Sequence, residues 1–408
     1  MSNRPTYLVR RAHMGDRDEV LAIINTVWRQ PDGSPGDIAA GRPFLFGAER
    51  ISNHLVYEVD GRLWGVLGAY PYDVRFGGVR FGGVRFRMAG IGQVICLPEF
   101  RGRGVMTALL RQVIADLEAD GYDAAWLAGD RQRYSHFGWA PGGRALHFTT
   151  NPRYLPDPTT VAAEIRPLDI QGEFDRLASY LGSLPDAILI PPLELRQLCA
   201  GRKMSGWALR RSFIVVDAKQ DHVLFADGEP AEIALLIAHQ QRLLVERGAP
   251  AQMFIETACR PSPLLRACQE IAANASIEHC ASFRIVRLVP FLEKAARMVE
   301  GAVTQGIDRL ELCNSDTGEI ATLSAVHGGI KVDRGTGGVD RGAVGASGAG
   351  VTTESSDAAV RLDTKQLSEL FFDWLPAEMH LPHLRADSPL RALFPLNVFM
   401  PRWQGFIV

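Results

Sequence analysis

The sequence predicts a mixed α/β protein of the α+β type, divided into three units, and three observations carry that expectation. Its 408 residues suit two to four domains at roughly 100–200 residues each. The N-terminal third alternates strand-like and helix-like segments, and from Ile165-Arg-Pro-Leu-Asp the same order starts again, echoing Val9-Arg-Arg near the start. After about residue 285 the pattern changes once more. These shifts set the boundaries at 1–152, 153–285 and 286–408.

In the first unit Tyr7 to Arg11 reads as a strand, Asp16 to Trp28 as an amphipathic helix, and Val56 to Val59 with Trp64 to Tyr70 as a hairpin around Asp60-Gly61, a favoured tight turn. A verbatim repeat, Arg75-Phe-Gly-Gly-Val then Arg80-Phe-Gly-Gly-Val, predicts a second hairpin whose glycines supply positive φ, or an arginine-lined rim of a substrate site. From Ala89 the order is strand, glycine loop, helix. Val105, Leu109 and Val113, with Met106, Leu110, Ile114 and Leu117, share one helical stripe, and Gly121 suits its C-terminal cap. The second unit offers strands at Phe213 to Asp217, Val223 to Ala226 and Gln252 to Ile255, with a helix from Ala231 to Arg247. The loop before that helix, Asp227-Gly-Glu-Pro, is acidic where the first unit's is basic. The third unit carries sheet and helix phrases at Asp308-Arg-Leu-Glu-Leu, Ile320-Ala-Thr-Leu and Val360 onward. A Gly, Ser and Thr-rich stretch, residues 328–357, reads there as a mobile loop.

Composition narrows the function classes. Lys and Arg number 44 against 46 Asp and Glu, so no global charge draws the chain to nucleic acid or an anionic membrane. Six cysteines show no C-x-x-C pair, which points to buried thiols in a reducing compartment and no zinc site. The N-terminus lacks an apolar signal core and the apolar runs are short, so the expectation is a soluble cytoplasmic protein. His380 and His383 form an H-x-x-H pair without a third ligand and with Pro382 between them, so no metal is expected.

The strongest chemical signal is Arg101-Gly-Arg-Gly-Val-Met between a strand and a helix. The first N–H groups of a helix have no intrahelical partner, the dipole adds positive charge, and Gly102 and Gly104 let a diphosphate approach the backbone. Arg101 and Arg103 would complete an anion cradle. A structural turn with solvated arginines is one alternative. A dinucleotide loop is another, although Gly102-x-Gly104-x-x-Thr107 lacks its third glycine and some 90 residues precede it. A second constellation comes later in the chain: a strand at Ala124 to Ala128, then Gly129-Asp-Arg-Gln-Arg and Tyr134-Ser-His-Phe-Gly-Trp.

The stretch from Arg101 matches the R/Q-x-x-G-x-G/A pyrophosphate loop of the GCN5-related N-acetyltransferases, with Met106 in place of the last small residue. Together with Tyr134-x-x-Phe-Gly-Trp and the three-unit plan, the whole chain resembles the enhanced-intracellular-survival (Eis) family. That resemblance implies tandem acetyltransferase (GNAT) folds, the second degenerate, followed by a sterol-carrier-protein-like domain from about Arg284. It implies acetyl-CoA as cosubstrate, with Val94, Ile95 and Cys96 pairing the pantetheine and Arg101, Gly102, Arg103, Gly104, Val105 and Met106 holding the pyrophosphate. It implies Tyr134 as general acid and the terminal carboxylate, here that of Val408, as general base, although family members commonly end in an aromatic residue. It also implies a small-molecule or peptide amine as acceptor, aminoglycoside-like or a lysine side chain, and a homo-oligomer, hexamers among them.

Asp32 after Trp28, and Asp130 before Tyr134, are the candidate amine-facing carboxylates, with solvated loop positions as their plain alternative. His136 reads as a packing or capping residue. The rival functions are a noncatalytic acyl-CoA-binding scaffold and a lipid-binding protein.

Overall fold

The computed structural model describes residues 7–27, 36–77, 83–129, 131–301, 308–335, 359–382, 384–385, 387–396 and 398–401. The first unit runs β1 (Tyr7–Arg11), α1 (Arg17–Val27), α2 (Ile38–Gly41), β2 (His54–Val59), β3 (Arg62–Phe76), β4 (Val84–Cys96), α3 (Val105–Ala119), β5 (Ala124–Leu127), α4 (Arg131–Ser135) and β6 (Ala140–Gly142). Asp60 and Gly61 both take positive φ, 51° and 75°, as the tight turn between β2 and β3 requires. The repeat falls where β3 turns back into β4, Phe76 facing Val84, and its residues 78–82 lie outside the described residues.

The first unit closes on β7 (Ala145–Thr150), and the second runs β8 (Arg166–Pro167), α5 (Phe174–Ser183), β9 (Ala187–Ile188), α6 (Pro192–Gly201), β10 (Ser205–Leu209), β11 (Ser212–Val216), β12 (His222–Asp227), α7 (Pro230–Glu246), β13 (Phe254–Ala258), α8 (Pro263–Ile271), β14 (Ala272–Glu278) and β15 (Ala281–Ile285). The third comprises α9 (Leu288–Met298), β16 (Arg309–Asn314), β17 (Ile320–Val326), β18 (Gly329–Arg334), β19 (Val360–Leu362), α10 (Thr364–Phe372) and α11 (Ala377–His380). The expected loop over 328–357 is corrected at its start, because Gly329–Arg334 pairs along β17 as β18. Alternation of Ile330 and Val332 with Lys331 and Asp333 gives that segment a strand period despite its glycines. Residues 336–358 lie outside the described residues.

Sheet membership does not follow chain order. The first sheet runs β1-β2-β3-β4-β5-β15-β6, with β9 added against β3, and the second runs β14-β7-β13-β12-β11-β10-β8. Each sheet therefore takes its next-to-last strand from the other unit: β15 lies between β5 and β6, and β7 lies between β13 and β14. The third sheet runs β18-β17-β16-β19.

One face of the first sheet, through Leu55, Leu67, Ala69, Ala89 and Ile91, packs on the buried stripe Val105, Leu109, Leu110, Val113 and Leu117 of α3. Each Val, Leu or Ile side chain of this layer contributes about 1.5–3 kcal/mol on burial. The opposite face, through Val66, Tyr70, Tyr72 and Met88, meets α1 and α9. Phe291 of α9 lies 5.4 Å from Phe86, centroid to centroid. Among the described residues no helix is long and apolar enough to cross a membrane.

Candidate active site

The site begins where β4 outruns its neighbour. The parallel pairing of β4 with β5 extends from Met88↔Ala124 to Ile91↔Leu127 and stops, whereas β4 continues to Cys96. On its other edge β4 stays paired with β3, Ile95 to Val66 and Cys96 to Gly65, after a bulge. Residues 92–96 thus offer one backbone edge with no strand partner among the described residues, and an edge of this kind can hydrogen-bond to an extended ligand.

The strand feeds a short turn, Pro98–Phe100, and then α3. Gly102 and Gly104 take φ of 74° and 80°, a region that disfavours side chains, and nothing lies within 4 Å of where a Cβ would stand at either. Gly104 is the N-cap of α3, no side chain caps the helix, and residues 101–104 are exposed. Gly65 brings this helix end down onto the strands: a Cβ there would stand 2.6 Å from Val105 Cγ1 and 2.7 Å from the Ile95 carbonyl. The free N–H groups and dipole of α3 therefore open at the end of the unpaired edge.

The two arginines of the loop are placed differently. Arg103 lies over the rings of Trp64 and Phe100, at 5.4 and 5.6 Å, and those rings stack on each other at 4.0 Å. Arg101 lies near enough to Cys96 to oppose the burial that raises that thiol above its usual range. Val105 is buried against Gly65, and Met106 is half-buried in the first turn of the helix.

Tyr134 belongs to α4, just past the end of β5, and is 8% exposed. Its ring lies against Gly129, where a Cβ would stand 2.6 Å from Cε2, and it joins the α3-side core with Val105, Leu127 and Trp139. His136 is exposed, and His380 lies 3.5 Å from Asp373. Trp28, Asp32, Asp130, His383 and Val408 lie outside the described residues. The described chain ends at a buried Pro401, two residues after Phe399, whose N–H donates to Asp186 Oδ2 at 3.1 Å.

The sequence reading overlooked two buried polar groups. Asp186, 3% exposed, accepts from the Gly77 and Phe399 N–H groups and faces Arg260 at 3.3 Å, and burial pushes its carboxyl up to about 6. Gln93, in the unpaired part of β4, meets Tyr70, which meets His54. A glutamine inside the apolar phrase Gly-Ile-Gly-Gln-Val-Ile-Cys was the available signal for the second; Asp186, inside Leu-Pro-Asp-Ala-Ile, gave none.

Residues 8–142 match the family model described as an acetyltransferase (GNAT) domain. The first unit is accordingly an acetyltransferase (GNAT) domain. No curated protein matches the chain. Solved structures similar over nearly the full length include a conserved protein from Enterococcus faecalis described as a probable N-acyltransferase, 18% identical, covering 98% of each chain with a TM-score of 0.68. A GCN5-related N-acetyltransferase from Kribbella flavida is 16% identical, with 97% of each chain covered and a TM-score of 0.66. Eis1 from Mycobacterium abscessus is 16% identical, with 97% of this chain and 98% of that one covered and a TM-score of 0.59. At these identities the likeness establishes a shared fold.

Proposed function

We propose that the protein is an acetyl-CoA-dependent N-acetyltransferase acting on primary amines, of the Eis type, with a sterol-carrier-protein-like third domain. One observation carries the reading: β4 leaves β5 after Ile91 and runs its unpaired edge into an uncapped helix start with glycines at 102 and 104. An extended amide chain ending in a diphosphate is complementary to both features. Residues 94–96 hold the pantetheine, and residues 101–106 hold the pyrophosphate.

Transfer then needs three groups. The amine nitrogen attacks the thioester carbon, and the Val94 N–H stabilises the oxyanion as it forms. The carbon–sulfur bond breaks, and the Tyr134 hydroxyl gives its proton to the leaving thiolate. A primary amine near pKa ~10.4 is mostly ammonium at neutral pH, so a base must take a proton before attack and another as the amide forms. The Val408 carboxylate fills that role, directly or through water. Carboxylates of Asp32 and Asp130, with Trp28, flank the amine, which comes from a small molecule or a peptide. The active form is a cytoplasmic homo-oligomer, and neither metal nor nucleic acid takes part.

Thiol release from acetyl-CoA over a panel of amines tests this on wild type, Tyr134→Phe and a chain extended beyond Val408. Tyr134→Phe lowers kcat about 100-fold without weakening CoA binding. Full turnover in Tyr134→Phe removes the acid, and full turnover in the extended chain removes the terminal base. CoA binding without turnover of any amine leaves an acyl-CoA-binding scaffold.

A further inference from the structure

The strand that the second unit lends to the first sheet carries a buried cation. β15 lies between β5 and β6, with Arg284 opposite Ala125 and Phe283 opposite Trp126 and Ala140. Phe283 and Ile285 enter the core shared with α9, so Arg284 between them faces the α3 side. It is 7% exposed. Its Nη1–H donates to the Phe137 carbonyl at 2.8 Å, and the guanidinium lies 5.6 Å from the centre of the Trp139 ring. Glu118 of α3 comes within 3.7 Å of Nη2, and Nε has no hydrogen-bond partner among the described residues.

Packing does not account for an arginine at this place. A guanidinium brings five N–H donors and stays charged, and a buried charge with so few partners costs stability that a well-packed apolar side chain would not. Burial accordingly draws Arg284 below its usual range, against the pull of Glu118 and Asp316. What the arginine does that an apolar side chain cannot is grip one carbonyl, and that carbonyl belongs to the turn after α4. Within this turn the Phe137 N–H donates to the Tyr134 carbonyl at 3.0 Å and the Gly138 N–H to the Ser135 carbonyl at 3.0 Å. Phe137 alone thus joins Arg284 to the Tyr134 backbone. The third unit meets the same turn: Ser368 Oγ of α10 accepts from the Ile285 N–H at 3.1 Å and lies 3.4 Å from the Gly138 carbonyl. Gly138 takes a φ of 82°, and a Cβ there would run into Arg284 Nη1 and stand 3.0 Å from Thr364 Cγ2. The turn that carries Tyr134 is built by the first unit and held by residues of the other two.

We propose that Arg284 is a positioning residue for the acyl transfer: from a strand of the second unit it tethers the turn at residues 134–139 and so fixes the Tyr134 hydroxyl where the thiolate leaves. This rests on Tyr134 being the general acid. It gives the exchanged strand a task in the chemistry of the first unit, since β15 brings both the tether and the backbone that Ser368 holds.

Two measurements on the full chain test it. Hydrogen exchange reports the tether without reference to activity: in Arg284→Met the Phe137 and Gly138 amides should exchange about tenfold faster, with β3 and β4 unchanged. Equal rates at Phe137 and Gly138 overturn the proposal. Kinetics report the link to the acid. Arg284→Met should lower kcat about tenfold and leave KM for acetyl-CoA within twofold. In a Tyr134→Phe background the same substitution should lower kcat no further, because a tether has nothing to position once the hydroxyl is gone. A further tenfold loss there shows that the arginine acts elsewhere and overturns the proposal, as does wild-type kcat in Arg284→Met. If Arg284→Met does not fold, Arg284→Lys takes its place in both measurements: it keeps one donor for the Phe137 carbonyl and should lower kcat about threefold, again with no further loss beside Tyr134→Phe. Wild-type kcat in that variant overturns the proposal. Wild type that acetylates no amine, or Tyr134→Phe at full turnover, sinks the reading of Tyr134 instead. The exchange rates then decide for the tether: faster exchange upholds it, and equal rates overturn it.

Discussion

At the end of β4 the chain turns through Arg101–Gly104 into α3; at the end of β12 it turns through Gly228 and Glu229 into α7. Both strands outrun a parallel neighbour, since β12 meets β13 only at His222↔Phe254 and Val223↔Ile255 and then continues to Asp227. The two helix starts beyond these strands differ. In the first unit the helix start is exposed and uncapped, with glycines that leave open space. In the second, Pro230 removes one N–H, the Glu229 N–H donates to Ser212 Oγ at 3.0 Å, and Ser212 Oγ donates to Glu232 at 2.6 Å. Gly228 lies so close that a Cβ would stand 2.1 Å from Ser212 Oγ. A splayed strand pair is thus common to both units; neither helix start has a side-chain cap, and they differ in that the first presents glycines with open space and the second a proline and the Ser212–Glu232 pair.

The comparison breaks most sharply at the glycines. Gly104→Val should leave the fold standing, at a cost of about 1–2 kcal/mol for a left-handed β-branched residue, and should weaken CoA binding more than 100-fold by calorimetry. Gly228→Val should do the reverse and prevent folding, because its side chain would enter Ser212 at a φ of 123°. Equal CoA affinity in Gly104→Val and wild type would remove the loop from the cofactor site.

Ser212→Ala sharpens the same contrast at a smaller scale. It removes a fully buried hydroxyl that serves Glu229 and Glu232 and should lower stability by about 2 kcal/mol in urea unfolding. CoA affinity and kcat should not move. A change in either would show that the second helix start takes part in binding.

The loop and helix of the first site were legible because they depend on local spacing: the apolar stripe from Val105 to Leu117 and two glycines at a helix start. The acidic Asp227-Gly-Glu-Pro marked the second unit as different for the same reason. The exchange of β7 and β15 was not legible. Ala145–Thr150 and Ala281–Ile285 are equally apolar strands whichever sheet receives them, and no local pattern records the partner. The bulge at Gln93 was hidden likewise, since its positive φ is imposed by long-range pairing and by Tyr70 and His54, 23 and 39 residues earlier in the chain.

Titration separates the two units in sign, with the smallest net effect. In the first, burial lowers His54 to about 4 from an ordinary value near ~6.5, so the folded state binds fewer protons than the unfolded state between those values. Stability is complete above about 6.5 and falls by about 3 kcal/mol as the pH drops to about 4. In the second, burial raises Asp186 to about 6 from ~3.9, so the folded state binds more protons over nearly the same window. That contribution recovers about 3 kcal/mol as the pH drops, and the two nearly cancel. His54→Gln should leave a protein that gains stability on acidification relative to wild type, and Asp186→Asn one that loses it, measured as urea midpoints at pH 6.5 and 4.5. Parallel pH profiles for the two variants would show that neither group titrates between its unfolded value and the one burial imposes.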